Sequence, residues 1–318
     1  MAYGSLIEAQ VNSMRLEAKD VVSIELKDAR GRELPMFTAG AHIDLHLANG
    51  MVRSYSLLNA TCERQRYVVG VLNDRKGRGG SRFIHERLRV GEILKCSVPR
   101  NSFALNEDAS KTVLIAGGIG VTPIICMLDR LLKIGRAVEL IYCARSRLDA
   151  AFLDKLTALG GNAHIHFDDE RGGAPDLKSL LAHRPNDTHF YCCGPEAMIA
   201  AFEEACRDLD YRNVHLERFA PAGAATQAQH HGYQVKLAKK GITVDVPAGK
   251  PMIDALEEAG VEVEFSCREG ICGVCETRVL DGTPDHRDSV LTERERDSGQ
   301  KMMVCVSGCK GNLLTLDI

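Results

Sequence analysis

No run of apolar residues in the 318-residue chain approaches the length, about 18, that a membrane-spanning helix needs. No membrane partner is therefore expected. The opening residues MAYGSLIEAQ lack the basic and apolar regions of a secretory leader. An excess of one charge is lacking too: 40 Lys plus Arg stand against 43 Asp plus Glu, a formal net −3. That balance leaves no electrostatic footprint for nucleic acid. Internal repeats and low-complexity tracts are absent, which sets repeat architectures and biased tails aside. What is there is ordinary in bulk. Hydrophobic content of 45% and charged content of 26% describe a soluble globular chain, and the length asks for two or three domains. Twelve cysteines without an export signal imply reduced thiols and a cytoplasmic setting. A monomer is expected.

Four of those cysteines carry chemistry. Cys267, Cys272 and Cys275 are spaced C-x4-C-x2-C, and Cys305 follows after 29 further residues. This is the spacing of a plant-type [2Fe–2S] ferredoxin loop, three thiolates from one loop and a distant fourth. Gly270 and Gly273 allow the tight turns that aim backbone N–H groups inward. A structural zinc site would want a second short-spaced pair, and no C-x2-C pair surrounds Cys305. Cys309, four residues on, competes for the fourth place. The remaining cysteines sit mostly in apolar runs and read as small buried side chains.

The pattern along the chain changes twice. Up to about Leu105, short alternating segments such as VVSIELKD, AHIDLHL and RYVVGVL read as a small antiparallel β-barrel. From Lys111, strands alternate with helices: KTVLIAGG, a helix near Thr122–Ile134, AVELIYCA, a helix in AAFLDKLTAL, AHIHFDD, THFYCCGP and a helix in EAMIAAFEEAC. That rhythm predicts a parallel α/β sheet. PAGAATQAQHHG then reads as a linker, and the hairpin, helix and cysteine loop beyond it fit a β-grasp module. The expected domains are 1–105 for flavin, 106–220 for nucleotide, a 221–231 linker, and 232–318 for the cluster.

Two motif pairs add cofactor sites. Arg53-Ser54-Tyr55-Ser56 offers an aromatic wall, a hydroxyl and a positive charge, as a flavin needs. In GRGGSRFIHERL, Gly79 and Gly80 expose N–H groups at a helix start, with Ser81 beside them. That is a seat for a phosphate. Arg82, and Arg78 less directly, can add charge. The seat holds one terminal phosphate with no aromatic platform for an adenine nearby, which points to FMN. Downstream, Gly117, Gly118 and Gly120 lead into Thr122 and Pro123 between a strand and a helix. The G-x-G-x-x-G fingerprint is missing, but glycines at the carboxyl end of a parallel strand serve the same close approach of a dinucleotide. Cys193, Gly194 and Pro195 end a later strand of that sheet. Asp168 and Asp169 at a strand end would repel a 2′-phosphate and favour NADH, whereas Arg145 and Arg147 would attract one.

RSYS, GRGGS, GGIGVTP, CCGP and C-x4-C-x2-C, in this order, resemble the phthalate dioxygenase reductase family, which includes the vanillate O-demethylase reductases. The resemblance covers nearly the whole chain, DHRDSVLTERE and MVCVSGC included; Cys309 is a departure from it. It implies FMN, NADH as donor, and a Rieske-type terminal oxygenase of an aromatic-ring dioxygenase or O-demethylase as acceptor. It further implies flavin contacts from Arg53, Tyr55, Ser56, Gly80, Ser81 and Thr122. A nicotinamide crevice would be lined by Gly118, Cys193 and Gly194, with Phe219 of HLERF beside the flavin. Ser56, Cys193 and Phe219 would position and tune without covalent reaction. Electron counting agrees: NADH gives a pair, the cluster takes single electrons, and a flavin converts between them. Supply to a cytochrome P450 or another monooxygenase keeps the same parts, and a redox sensor is the reading from a different class.

Overall fold

A computed structural model describes residues 6–220 and 231–318. They fall into two compact units that divide between Glu217 and Arg218. Residues 221–230, most of the expected linker, lie outside the described residues.

The larger unit begins with β1 (Ile7–Ala18), β2 (Val21–Asp28), β3 (His42–His46), β4 (Val52–Ser56), β5 (Tyr67–Leu72), α1 (Gly80–Arg87) and β6 (Ile93–Cys96). Alternation along β1 sends Ile7, Ala9 and Val11 into the core, as a half-buried strand requires. The six strands pair antiparallel in the order β4-β3-β6-β1-β2-β5. The closed barrel expected for residues 1–105 is corrected here to an open sheet. Its edges, β4 and β5, meet at the isolated bridge Leu57–Val69 and a Leu58 N–H bond to the Val68 carbonyl. Then a side chain takes over from a strand. The buried Asn59 amide accepts from Val68 N–H at 2.9 Å and donates to the Arg66 carbonyl at 3.1 Å. At this point of the edge the Asn59 amide, not a strand, serves the backbone of Arg66 and Val68.

The same unit continues through β7 (Lys111–Gly117), α2 (Val121–Lys133), β8 (Ala137–Ala144), α3 (Leu153–Leu159), β9 (Asn162–Phe167), α4 (Asp168–Arg171), α5 (Leu177–Leu181), β10 (His189–Cys193), α6 (Glu196–Asp208) and β11 (Val214–Glu217). Five parallel strands run in the order β11-β10-β7-β8-β9. Strand order reverses between β7 and β10, which is where ligands enter open α/β sheets. Residue parity sorts the two faces. Leu114, Ala116, Tyr191 and Cys193 join α2 and the first sheet in one core, while Val113, Ile115, Phe190 and Cys192 pack with Ile199 and Phe202 of α6. Helix α2 buries Val121, Ile124, Ile125, Met127, Leu128 and Leu131. Each such side chain contributes about 1.5–3 kcal/mol of burial, which fixes one sheet against the other.

One helix starts later than its sequence suggests. AAFLDKLTAL is helical only from Leu153, because Phe152 adopts a left-handed backbone, φ 63°. Its ring lies where a Cβ on Gly70 of β5 would stand 3.0 Å away. Anchoring that ring on β5 outweighs the extra helical turn.

The smaller unit comprises β12 (Tyr233–Leu237), β13 (Ile242–Val246), α7 (Met252–Glu258), β14 (Glu276–Asp281), β15 (Pro284–Asp285), α8 (Glu293–Ser298), β16 (Lys301–Met303), β17 (Gly308–Cys309) and β18 (Leu313–Leu316). A five-stranded sheet, β13-β12-β18-β14-β16, has β12 and β18 parallel and its other pairs antiparallel. Met252, Ile253 and Leu256 of α7 are buried with Val235, Leu237, Leu314 and Leu316 of the sheet. The long connection between α7 and β14 carries the cysteine loop.

Candidate functional site

The two glycine-containing loops of the parallel sheet meet backbone to backbone. A Cβ on Gly120 would stand 2.2 Å from the Cys193 carbonyl oxygen and 2.7 Å from the Gly194 nitrogen. One on Gly117 would stand 2.5 Å from Met198 Sδ and 2.7 Å from Pro195 Cδ. Only hydrogen fits at these positions. Gly118 takes a left-handed φ of 52° with open space beside it, as a close approach of a ligand to backbone needs. Thr122 is buried against Gly70, and its hydroxyl donates to the Ile119 carbonyl at 3.0 Å. It therefore braces the loop from below.

The flavin motifs also converge. A Cβ on Gly80 would come within 2.6 Å of Arg53 Nε, so the Arg53 side chain lies along the N-terminus of α1. Gly79 leads into that helix at φ 92°, with no side-chain cap and no acid in the first turn. Unsatisfied N–H groups next to a guanidinium form an anion seat. Ser81 Oγ accepts from Asp74 N–H at 3.1 Å, and exposed Arg82 donates to the Arg75 carbonyl. Arg53 and Tyr55 share one face of β4, Ser54 and Ser56 the other. Burial raises the Tyr55 phenol above its ordinary pKa. Ser54 is committed to buried Asp44, which Arg100 also holds.

Ser56 leads to a residue that the motifs did not single out. Its hydroxyl donates to Glu217 Oε2 at 3.4 Å, joining β4 to the end of β11. Glu217 stands opposite Cys193 in the β10–β11 register. Some of Glu217 remains accessible, yet its carboxyl is packed among protein atoms, and that burial pushes its pKa up to about 8. The Ser56 hydrogen bond pulls only weakly the other way. Cys193 is fully buried, and burial first, then the Glu217 charge, raises its thiol well above the usual range. Ser56, Glu217 and Cys193 thus form one neutral, polar corner between the sheets. Phe219 falls in the smaller unit and is 41% exposed.

The cysteine loop is held by positive backbone angles and one arginine. Arg268, Gly270 and Gly273 have φ of 55°, 68° and 74°. Arg268 stacks over Phe265 at 4.5 Å and pairs with Asp254, at 2.6 Å, and Glu257 of α7. The four thiols are drawn together as two linked pairs. Hydrogen bonds from Cys272 and Cys305 hold Cys267 below the ordinary thiol range, and one from Cys305 does the same for Cys275. Glu269 N–H also points at Cys267 Sγ, at 3.3 Å. Among the described residues no three His, Cys, Asp or Glu side chains close on a single ion. A two-iron cluster takes its thiolates as two pairs, and these residues fit it. Cys309 is turned away, its thiol directed at the Leu313 carbonyl. Elsewhere, burial pushes Cys96, Cys126, Cys143 and Cys206 up to about 12, while Cys62 is the one exposed cysteine.

Near β9, Asp168, Asp169 and Glu170 open α4. Arg147 stacks over Phe167 at 4.6 Å and pairs with Glu170 at 3.6 Å. Its charge is therefore partly answered within the protein.

Residues 235–310 match the family model of the 2Fe-2S iron-sulfur cluster binding domain. Residues 93–216 match that of the dimethylamine monooxygenase subunit DmmA-like N-terminal domain. The chain is 46% identical to the phenoxybenzoate dioxygenase subunit beta of Ectopseudomonas oleovorans, over 98% of this chain and 97% of that one. Its structure is similar to phthalate dioxygenase reductase, at 35% identity and a TM-score of 0.71, covering 99% and 98% of the two chains. It is also similar to an intact type IV self-sufficient cytochrome P450 monooxygenase, at 41% identity and a TM-score of 0.88. There the match covers 98% of this chain but only 41% of the other, about two fifths of its length.

Two outcomes follow from this geometry. Gly120→Ala suffers no backbone strain at φ −60°, but its methyl must push on the Cys193 carbonyl. Overpacking of about 1–3 kcal/mol is expected, seen as a lower Tm and weaker nicotinamide-dinucleotide binding, with the cysteine-loop spectrum unchanged. Glu217 stays protonated in the folded chain up to about pH 8, whereas an ordinary Glu ionises near 4.5. Folding is therefore opposed progressively as pH rises from 4.5 towards 8. Glu217→Gln removes the effect, so its Tm relative to the parent should improve between pH 5 and pH 8. A pH-independent difference in thermal melts would show that burial does not govern this carboxyl.

Proposed function

Because the chain belongs to the phthalate dioxygenase reductase family of electron-transfer oxidoreductases, we propose that it is the reductase component of a Rieske-type aromatic-ring dioxygenase or O-demethylase. Electrons would pass from NADH through FMN and a [2Fe–2S] cluster to the oxygenase. The observation that carries this reading is the corner where Ser56, Glu217 and Cys193 meet. It joins the strand that bears the flavin motif to the carboxyl ends of the nucleotide sheet.

When bound, the flavin supplies the conversion between paired and single electrons, and the cluster supplies a one-electron station. The chain supplies position and electrostatics. Arg53 and the Gly79–Gly80 turn would hold a terminal phosphate, and Tyr55 would wall the ring. Gly118 and Gly194 admit the dinucleotide close to the strand ends. Cys193, neutral and small, excludes water without competing as a nucleophile. Glu217 holds a proton near neutral pH and can exchange it through Ser56 Oγ. Phe219 is proposed to cover the flavin. Cys267, Cys272, Cys275 and Cys305 would hold the cluster. The Arg147–Glu170 pair and the acids of α4 support NADH over NADPH. For the acceptor, an open groove beside the loop includes Val263, Glu264, Val274 and Glu276. Exposed Glu264 can steer a basic surface, whereas Glu276 is already paired with Lys301 at 3.2 Å.

A second reading, supply of electrons to a cytochrome P450, rests on the likeness to the self-sufficient monooxygenase. The end-to-end match to the dioxygenase subunit favours the first. Cys272→Ser tests the electron order. The variant should lose its cluster, keep FMN (identified by chromatography after heat release), and retain NADH-driven reduction of ferricyanide. Reduction of cytochrome c or of a Rieske partner should fall at least about tenfold. Equal loss of both activities with flavin still bound would contradict the order, and release of FAD would overturn the FMN assignment.

A further inference from the structure

Three neighbours in the smaller unit hold buried polar atoms that find no side-chain hydrogen-bond partner among the described residues: His286 Nδ1 and Nε2, Asp288 Oδ1, and Arg296 Nε. An orphaned buried polar group lowers folding stability, so several in one place indicate an arrangement kept for something other than stability. Their placement is specific. Asp288 Oδ2 accepts from Val290 N–H at 3.1 Å and Leu291 N–H at 2.8 Å, which leaves Oδ1 turned to His286 Nδ1 at 3.8 Å. Arg296 donates to the Asp288 carbonyl at 2.6 Å and stands 3.9 Å from Oδ2. The group lies on the cysteine loop. Ser289 N–H donates to the Gly270 carbonyl at 2.8 Å, and a Cβ on Gly270 would come within 2.9 Å of Asp288 Cα.

His286 is thus linked to the cysteine loop through Asp288 and Ser289, which pack on Gly270. Burial first pushes its imidazole below the ordinary value; the Asp288 charge opposes this, the Arg296 charge reinforces it, the Arg296 backbone opposes it, and Lys310 reinforces it. The flanking Asp285 and Arg287 are paired with each other at 2.6 Å. An electron arriving in the loop adds a unit negative charge in surroundings of low dielectric, which favours the charged imidazole. The 3.8 Å gap to Asp288 Oδ1 is one that a proton on Nδ1 would close.

We propose that His286 takes up one proton from solvent as the cluster takes up one electron, the new imidazolium closing onto Asp288 Oδ1. The electron comes from the flavin side and the proton from water, so the loop's added charge is neutralised where it arises. His286 is a positioning residue for charge, since it acts through the loop. The idea rests on the [2Fe–2S] reading of the four cysteines.

The test is a potentiometric titration of the intact holoprotein between pH 5.5 and 8.5, following the electron paramagnetic resonance signal of the reduced cluster. The parent's electron affinity should fall by up to tenfold per pH unit, about 59 mV for one electron. His286→Gln should flatten that slope with iron and sulfide content unchanged. Asp288→Asn should move the steep region to lower pH. A flat parent profile, or a slope that persists in His286→Gln, overturns the proposal. If His286→Gln does not fold, the parent slope and its displacement in Asp288→Asn decide. A preparation without two iron and two sulfide per chain would overturn the cluster reading instead, and the two failures are told apart by that analysis.

Discussion

Hydrogen-sized side chains at Gly117, Gly120 and Gly194 let two strand ends of the parallel sheet touch through their backbones, and the larger unit is organised around that approach. The contact falls where strand order reverses, between β7 and β10. Any larger residue would force the loops apart, and with them Cys193 and the register that places Glu217 beside it. The α2 side of the sheet is already committed to the first sheet through one shared core. The corner formed by Ser56, Glu217 and Cys193 is thus a product of two long-range constraints, tight loops above and a common core below.

Much of this was legible because it is local. The cysteine spacing, the glycines before α1 and the strand–glycine–helix pattern at Gly117–Thr122 each lie within a few residues, and backbone chemistry alone reads them. Glu217 was not legible. It sits in HLERF, yet its partner Ser56 is 161 positions earlier, and no local pattern announces a carboxyl buried by another sheet. The barrel expectation failed for a related reason. Alternation reports which face of a strand is buried, but closure depends on whether two distant edges pair. Among the described residues β4 and β5 form no ladder, meeting at Leu57–Val69 and Leu58–Val68 with the Asn59 amide serving the backbone beside them. Phe152 shows tertiary packing overriding helix propensity at a single residue.

Charge is handled differently in the two units. In the larger one, buried acids are either paired, as Asp44 is with Arg100 and Ser54, or kept neutral, as Glu217 is. In the smaller one, charge is gathered round the cysteine loop: Arg268 ties it to α7, and Asp288, whose carbonyl accepts from Arg296, packs against Gly270. A rigid, charge-laden shell limits how far the loop must reorganise when its own charge alters.

The thiol distribution has a practical side. Burial holds at least five of the other cysteines as neutral thiols, the loop set is closely grouped, and Cys62 alone is exposed. Maleimide or gold chemistry applied to the folded, cluster-loaded molecule would therefore meet one anchor point. The chain comes with a built-in tether for mounting on an electrode in a single orientation, with no cysteine needing to be engineered away first.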